Sequence, residues 1–403
     1  MHSIDRRAFL KTTAAGLGAL SAPPSAPGAD DDPLGVRSDF PITAEGTAYL
    51  DCAAVAPIPR VVRDAGLDYL DRKMLRGSQN RHSERADEAR KRFAELFHVE
   101  PSEVALLYST SDAENIAARA ARLEPGRNVV IDELHFTTSF VLFRELESTH
   151  GVELRIVPHR GGRTRLEDFD ARIDEKTSLV SVAWVSNRNG FRQDLRGLAE
   201  IAHRKGALVY ADAIQALGNF ETSLAETGVD FAGSGSYKWL LASFGVAPFY
   251  VKGALLDRVR PDRFGHGQVE KELPDFRFEL RKTARKYEYS NPGYGAVYAL
   301  SAGLSYLQHV GLSRIEKHTV ALAAELRKGI AALGFEPFTP DGNESPIVSF
   351  EHGRDPDEMR TRLEKANVVV TLREGGKLLR AGVGLFNNRG DVERLLEVVK
   401  AIA

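Results

Sequence analysis

The feature that most constrains the fold is an alternation, within residues 104–251, of short apolar runs with stretches of helical periodicity. Apolar runs of strand length that alternate with helices predict a mostly parallel sheet with helices on both faces. The predicted strands are residues 104–108, 128–132, 153–158, 179–185, 207–211 and 245–251. The predicted helices between them are residues 111–122, 139–150 and 195–205. We therefore expect an α/β architecture.

A second, smaller domain is predicted beyond Pro292, where the character of the sequence changes. A chain of 403 residues is too long for one compact core and predicts a large α/β domain with a smaller companion. The C-terminal part predicts an α+β domain with elements at residues 296–333, 347–351, 355–365, 368–372 and 391–402. We expect an N-terminal segment at residues 30–75 to pack with this domain. The large domain is then residues 76–290, and the small domain is residues 291–403.

Composition excludes several classes of partner and site. The 54 Lys and Arg residues against 56 Asp and Glu residues leave a net charge of −2, and no long run of one sign is present. A polyanion has no surface to bind, so nucleic acid is not an expected partner. Cys52 is the only cysteine, which excludes an intramolecular disulfide, and the histidines lack the spacing of a structural zinc site. No metal is expected.

Residues 1–29 resemble an export signal. The adjacent Arg6 and Arg7 precede a weakly apolar stretch at residues 12–22 and then Pro, Ser and Ala residues up to Ala29. This order is typical of a secretory signal, and the paired arginines resemble a twin-arginine signal. The apolar stretch is too short for a permanent membrane span. We expect a periplasmic or extracellular protein, and the alternative is a basic helix without a targeting role.

One lysine and one aspartate carry the chemistry that the sequence indicates. Lys238 follows a Gly/Ser-rich loop and lies 26 residues after Asp212, which ends an apolar run. Pyridoxal 5'-phosphate needs a lysine amine that forms a Schiff base with its aldehyde, and an acid that keeps its pyridine nitrogen protonated. Lys238 and Asp212 can fill these two catalytic roles. The alternative is a solvated surface lysine and a helix-capping aspartate.

Other segments end in polar or aromatic groups beside the predicted strand ends, where ligands of parallel sheets bind. Residues 106–115 open a helix whose first amides can bind a phosphate, with a plain N-cap as the alternative. Phe136 can stack on a planar cofactor or lie in the core. Asn187 can hydrogen-bond a ring hydroxyl of the cofactor or form a turn. Gln215 can reach the same oxygen.

Together these segments resemble the class V aminotransferase group of fold-type-I pyridoxal phosphate enzymes, over about residues 49–395. This group includes cysteine desulfurases, kynureninases and isopenicillin-N epimerases. The resemblance implies a large domain with a mostly parallel seven-stranded sheet and helices on both faces, plus the smaller α+β domain. It makes Lys238 the Schiff-base lysine and Asp212 the partner of the pyridine nitrogen. It also implies further cofactor contacts from Ser111, Asp112, Ala113, Asn187 and Gln215.

Several motifs resemble kynureninase in particular. Residues 236–238 are similar to the stretch around the lysine of that enzyme and imply Tyr237 as a phosphate ligand. The segment that contains Phe136 resembles the one whose Phe stacks on the cofactor ring. Ser290 and Asn291 resemble a loop that reaches the cofactor phosphate of a neighbouring subunit. The resemblance therefore implies a homodimer with a shared active site.

Arg380 resembles the family arginine that binds the carboxylate of the substrate, a task that suits a planar guanidinium. Without the family pattern it reads as a surface charge. The chain also departs from its relatives, since Gln215 stands where kynureninases carry His. Residues 373–377 contain no cysteine where desulfurases need a thiolate on a mobile loop. Cys52 is interpreted as a small buried residue.

We therefore expect an exported pyridoxal phosphate enzyme that acts on an α-amino acid by transamination or side-chain lyase chemistry. Lys238 is expected to act as general acid and base. The alternatives within the family are an amino-acid epimerase and a C–S lyase. A nicotinamide-dependent dehydrogenase would need Gly-x-Gly-x-x-Gly, but Lys238 stands where the third glycine would follow Gly233 and Gly235. The remaining alternative is an exported binding protein that has lost catalysis.

Overall fold

The computed structural model describes residues 32–79 and 81–403. The predicted export signal at residues 1–29 lies outside these residues. Within the described ranges, no helix is both long and apolar enough to cross a bilayer. The same ranges hold no group of three or more His, Cys, Asp or Glu side chains placed to bind a metal ion.

The described residues form fourteen strands and twelve helices, which are numbered here in chain order. The strands are β1 Ala48–Tyr49, β2 Val104–Leu107, β3 Asn128–Asp132, β4 Glu153–Val157, β5 Thr177–Ala183, β6 Leu208–Asp212, β7 Phe231–Gly233, β8 Ala247–Val251, β9 Val269–Leu273, β10 Arg277–Leu280, β11 Ile347–Glu351, β12 Val368–Val369, β13 Thr371–Arg373 and β14 Leu378–Gly382. The helices are α1 Pro41–Ala44, α2 Arg60–Arg76, α3 His82–Phe97, α4 Thr110–Ala120, α5 Thr137–His150, α6 Leu166–Asp170, α7 Leu195–Arg204, α8 Leu224–Thr227, α9 Tyr294–Val310, α10 Leu312–Ala332, α11 Pro356–Lys365 and α12 Arg389–Lys400.

Seven strands form the central sheet, in the spatial order β2-β8-β7-β6-β5-β3-β4. Strands β4, β3, β5, β6 and β7 run parallel, whereas β8 is antiparallel to both of its neighbours. The predicted mostly parallel seven-stranded sheet is therefore confirmed. Strand β7 was not among the runs predicted from the sequence, because three residues are too few for an apolar pattern to mark a strand.

Helices cover both faces of this sheet, as predicted. On one face α4 and α5 pack through Ile116 and Phe143, and on the other face α3 and α9 pack through Phe93 and Leu304. Successive residues of β3 alternate between the two apolar clusters, because neighbouring side chains of a strand point to opposite faces. The sheet is thus buried on both sides, and ligands can reach it only at its edges.

A smaller antiparallel sheet has β14 between β11 and β13, and β1 pairs in parallel with β12 beside it. Helices α10, α11 and α12 pack against these strands. The helical region predicted at residues 296–333 is two helices, since Gly311 between them has φ of 91°. Glycine adopts this conformation without strain. The domain limits at residues 75 and 290 stay predictions.

The segment after β1 connects the small sheet with the edge of the large one. Asp51 forms a parallel bridge with Gly382, the last residue of β14. Five residues later, the amide of Ala56 donates to the carbonyl of Tyr237 at 3.1 Å. The end of β14 is thereby held against the loop that carries Lys238.

Candidate active site

Asp212 and Lys238 reach one cavity because they follow neighbouring parallel strands. Asp212 is the last residue of β6, and its register partner Gly233 is the last residue of β7. The chain leaves β7 at this edge and turns back at Lys238. The cavity has a volume of about 100 Å³ and is partly open to solvent. It is lined by Ser109, Thr110, Ser111, Glu114, Phe136, Thr138, Ala183, Val185, Asn187, Asp212, Ile214, Gln215, Tyr237 and Lys238.

Asp212 presents one carboxylate oxygen to this cavity. Its Oδ1 accepts a hydrogen bond from the amide of Ile214 at 3.0 Å, whereas Oδ2 accepts none from the described chain. Burial raises the pKa of Asp212 to about 6, and the positive charge of Lys238 opposes that rise. A buried carboxylate with a free oxygen can hold a cation or a protonated ring nitrogen.

Lys238 is 8% exposed, and the cavity disfavours its charged form. Burial lowers the pKa of Lys238 to about 7; the charge of Asp212 raises it, and the positive charges of Arg380 and Arg373 lower it. Near neutral pH much of the lysine is an unprotonated amine, the form that attacks a carbonyl. A tight turn fixes this residue, since the amide of Leu241 donates to its carbonyl at 3.0 Å.

The first turn of α4 brings backbone amides to the cavity. Ser109 is the N-cap, and its side chain accepts from the amide of Asp112 at 3.1 Å while its carbonyl accepts from that of Ala113 at 3.3 Å. The amides of Thr110 and Ser111 make no hydrogen bond within the described chain. Free amides at a helix N-terminus bind anions. Ser111 lines the cavity, and the phosphate contacts of Asp112 and Ala113 stay predictions.

A glycine lets the loop of Lys238 approach α4. The amide of Gly235 donates to Thr110 Oγ1 at 2.8 Å. A Cβ atom on Gly235 would lie 2.9 Å from Ile214 Cδ1 and 3.0 Å from Tyr237 Cε1. A larger residue at this position would therefore require the side chains of Ile214 and Tyr237 to shift.

The predicted ring contacts Phe136 and Asn187 and the predicted phosphate ligand Tyr237 all line the cavity. Phe136 keeps 40% of its surface exposed, and Asn187 Oδ1 is buried without a hydrogen-bond partner among the described residues. Tyr237 stacks on Phe244 with ring centroids 3.9 Å apart. An exposed aromatic ring and an unsatisfied amide oxygen are what a planar polar ligand would cover and satisfy.

Gln215 also lines the cavity, but the protein already holds its amide at both ends. Its Nε2 donates to the carbonyl of Ala53 at 2.9 Å, and its Oε1 accepts from Trp239 Nε1 at 2.7 Å. One N–H of Gln215 remains for a ligand. The predicted contact with a ring oxygen therefore depends on that single donor.

Arg380 lies on β14 and is 1% exposed. Its Nη1 donates to the carbonyl of Asn187 at 2.9 Å, and its Nη2 lies 3.2 Å from Thr371 Oγ1 and 3.4 Å from Asp51 Oδ1. Its Nε is buried without a partner among the described residues. The contacts of Asp51 and Thr371 with Arg380 were not predicted from the sequence.

A buried polar network below the cavity was also missed. Glu114 accepts from Ser181 Oγ at 2.7 Å and from Ser139 Oγ at 2.8 Å. His135 Nδ1 accepts from the amide of Phe136, so Nε2 carries the proton toward Ser181. Burial raises the pKa of Glu114 to about 7, and burial lowers that of His135 to about 3. No local motif marks this network, because its members come from four separate elements.

Ser290 and Asn291 do not line the cavity of Lys238. They are exposed and border a separate depression with Tyr108, Asp112 and Arg263. The sequence prediction assigns them to the cofactor of a neighbouring subunit, and this assignment stays a prediction.

The sequence matches the family described as Aminotransferase class-V over residues 48–395. The chain belongs to the class-V aminotransferase family. Similar curated members include an uncharacterized aminotransferase, YcbU, of Bacillus subtilis (strain 168), which is 28% identical over 369 residues, 91% of this chain and 96% of its own. A probable cysteine desulfurase of Methanothermobacter thermautotrophicus is 28% identical over 392 residues, 91% of this chain and 97% of its own.

Solved structures show the same fold. The apo cysteine desulfurase from Thermococcus onnurineus NA1 has a TM-score of 0.82 at 24% identity and covers 92% of this chain and 98% of its own. The cystine C-S lyase C-DES, in complex with its reaction product cysteine persulfide, has a TM-score of 0.82 at 15% identity and covers 90% of this chain and 99% of its own. At these identities the likeness shows the fold alone.

Membership of the class-V aminotransferase family makes this chain a pyridoxal phosphate-dependent enzyme. The cavity fits that cofactor. Asp212 offers a free oxygen for the pyridine nitrogen, Lys238 an amine for the aldehyde, and Phe136 an exposed ring for stacking. The unsatisfied Oδ1 of Asn187 and the free amides of α4 would supply the remaining polar contacts.

Proposed function

We propose that this chain is an exported pyridoxal phosphate enzyme that binds an α-amino acid through its carboxylate at Arg380. Lys238 then moves protons at the substrate carbons, in a transaminase or side-chain lyase reaction. The observation that carries this proposal is the shared cavity of Lys238 and Asp212, in which burial brings the pKa of Lys238 to about 7. A general base works best when its pKa is near the working pH.

The bound cofactor supplies an electron sink for the negative charge that develops at the substrate carbon. The protein supplies the other steps. Asp212 holds the positive charge of the ring nitrogen, and Lys238 takes and returns the proton. Arg380 is fixed by Asn187 and Asp51, so its guanidinium is preorganised for a carboxylate.

Persulfide chemistry at a cysteine is not part of the proposed reaction. Cys52 is the only cysteine of the chain and is 1% exposed. Burial raises the pKa of its thiol, and the negative charge of Asp51 adds to that rise. A buried protonated thiol is a poor nucleophile. The proposed reaction therefore does not use Cys52.

The test is exchange of the substrate α-proton with deuterium, a step that transaminases, lyases and epimerases share and a binding protein lacks. Holoenzyme is incubated in D₂O with a panel of amino acids, and deuterium at Cα is read by mass spectrometry. We expect exchange with at least one amino acid, none with Lys238→Ala, and normal exchange with the control Lys282→Ala on the surface. Lack of exchange across the panel would refute the proposal. Where exchange is seen, measurement of keto-acid and ammonia release separates transamination from side-chain lyase chemistry.

Export is the second part of the proposal, and Arg6 and Arg7 with the small-residue tail support it. The test is fractionation of cells that express the complete chain. We expect the shortened mature protein in the periplasm or medium, and retention of the Arg6→Lys, Arg7→Lys double variant in the cytoplasm. A wild-type chain that keeps its full length inside the cell would contradict export.

A homodimer is the third part of the proposal. Among the described residues, α2 exposes Leu70, Met74 and Leu75, of which Met74 and Leu75 are each 75% exposed. Apolar side chains grouped on one helix are typical of a protein interface. Sedimentation equilibrium should give twice the chain mass, and Leu70→Glu should reduce it. A wild-type monomer at micromolar concentration would contradict the dimer.

A further inference from the structure

Arg373 is a cation of the small sheet that forms no ion pair with any described residue. It lies at the end of β13 and pairs with β14 through its backbone, and it is partly buried. Its guanidinium forms neither a hydrogen bond nor an ion pair with any described residue. Its positive charge acts on the site residues, since it lowers the pKa of both Lys238 and Arg380. Burying part of an unpaired guanidinium costs free energy, which an anionic ligand would recover.

The strand register places Arg373 on the same face as Arg380. Thr371 of β13 is the direct partner of Arg380 on β14, and their side chains are in contact, with Thr371 Oγ1 3.2 Å from Arg380 Nη2. Residues two apart on a strand point to the same side, so Arg373 shares the face of Thr371. The Cα atoms of the two arginines are therefore offset along the sheet by roughly two residues, about 7 Å.

The carboxylates nearest to Arg373 are engaged with other partners. Glu374 accepts from Arg188 Nε at 2.9 Å. Both carboxylate oxygens of Asp51 accept from Thr371 Oγ1, at 2.7 and 2.8 Å, and Asp51 also faces Arg380. Burial lowers the pKa of Arg373 and the charges of Glu374 and Asp51 oppose that effect, but neither carboxylate forms an ion pair with its guanidinium.

We infer that Arg373 binds a second anionic group, at the end of the substrate side chain, while Arg380 binds the α-carboxylate. This inference rests on the proposed function and narrows the substrate to an α-amino acid with a short acidic side chain. An offset of about 7 Å between the two arginines suits two anionic groups that are separated by a few carbon atoms. The inferred contact is a charge-assisted hydrogen bond, which a neutral amide of the same shape cannot replace.

The test compares acids with their isosteric amides on the holoenzyme. Changes of the visible cofactor band are titrated with L-aspartate, L-asparagine, L-glutamate, L-glutamine and L-alanine, so that binding is measured rather than turnover. We expect wild type to bind one of the two acids at least about tenfold more tightly than its amide, as a charge-assisted contact provides. In Arg373→Gln this preference should fall to near one, with binding of the amide changed less than about twofold.

Arg373→Lys keeps the charge and should retain part of the preference. Arg277→Gln, on the exposed strand β10, is the matched control and should retain all of it.

Equal binding of acids and amides by wild type would overturn the inference. So would an equal loss for acids, amides and alanine in Arg373→Gln, because that pattern assigns Arg373 to the α-carboxylate or to folding. In both cases the band still responds to amino acids, so the proposed function stands. If no amino acid changes the band of wild type, the proposed function fails and this inference fails with it.

Discussion

When the cofactor-free protein unfolds at pH 8.5, Lys238 should bind about one proton. The perturbation that isolates this proton is Lys238→Met, which keeps an unbranched side chain and removes the amine. Burial holds the pKa of Lys238 at about 7 in the folded protein, below its ordinary value of 10.5. In the unfolded chain the side chain returns to solvent and regains its ordinary pKa.

The magnitude follows from these two values. At pH 8.5 a lysine with a pKa of about 7 is only about 3% protonated, and an unfolded lysine is about 99% protonated. A folded pKa of about 8 would still leave an uptake of about three quarters of a proton. Because the pKa of Lys238 is lower in the folded protein than in the unfolded chain, the buried lysine destabilises the protein. This destabilisation is fully present below pH 7 and disappears as the pH rises toward 10.5. Across that interval, Lys238 makes wild-type stability rise by about 1.4 kcal/mol per pH unit relative to the variant.

Proton uptake is measured in weakly buffered solution by the pH change on addition of denaturant, and this count does not require two-state unfolding. At pH 8.5 the buried acid Asp212, whose pKa is about 6, is ionised in both proteins and cancels. We expect wild type to take up about one proton more than Lys238→Met. The surface variant Lys282→Met should behave as wild type. A difference below about a third of a proton would refute the conclusion that burial keeps this amine neutral.

Three other perturbations test the remaining structure. Arg90→Met removes the cation that lies 2.7 Å from the buried carboxylate of Glu288. Thermal denaturation should show a loss of about 3–5 kcal/mol of stability, and a loss below about 1 kcal/mol would contradict the pairing. Asp212→Asn removes the partner of the ring nitrogen and should reduce α-proton exchange by at least about 100-fold, while exchange at the wild-type rate would exclude that role. Cys52→Ala should keep exchange within about twofold because the thiol is buried away from the reaction, and loss of exchange in a folded variant would show that the thiol is needed.

The periodicity of the sequence was sufficient for the architecture of the large domain. Strand β3 occupies residues 128–132 as predicted, and α7 begins at Leu195 as predicted. The hairpin of β9 and β10 was missed, since its residues are mostly exposed and carry no apolar pattern. Apolar periodicity marks strands with a buried face, so it does not mark a strand that is exposed to solvent.

The site was predicted unevenly for a related reason. Asp212 and Lys238 follow strand ends, and parallel strands bring such ends together, so their meeting could be inferred from spacing. Asp51 comes from the N-terminal segment and Thr371 and Arg373 come from the small domain, and no spacing connects them with the large sheet. Their relation to Lys238 depends on how the two domains pack.

The sequence by itself determined the alternation of strands and helices in the large domain, a lysine and an aspartate beside strand ends, and the lack of a second cysteine. These properties follow from local patterns and composition. Only the tertiary structure decided that Lys238 is buried enough to lose its proton near pH 7, and that Arg373 shares a sheet face with Arg380 without an ion-pair partner among the described residues. The physical reason is that desolvation and charge pairing depend on distances between residues far apart in the chain.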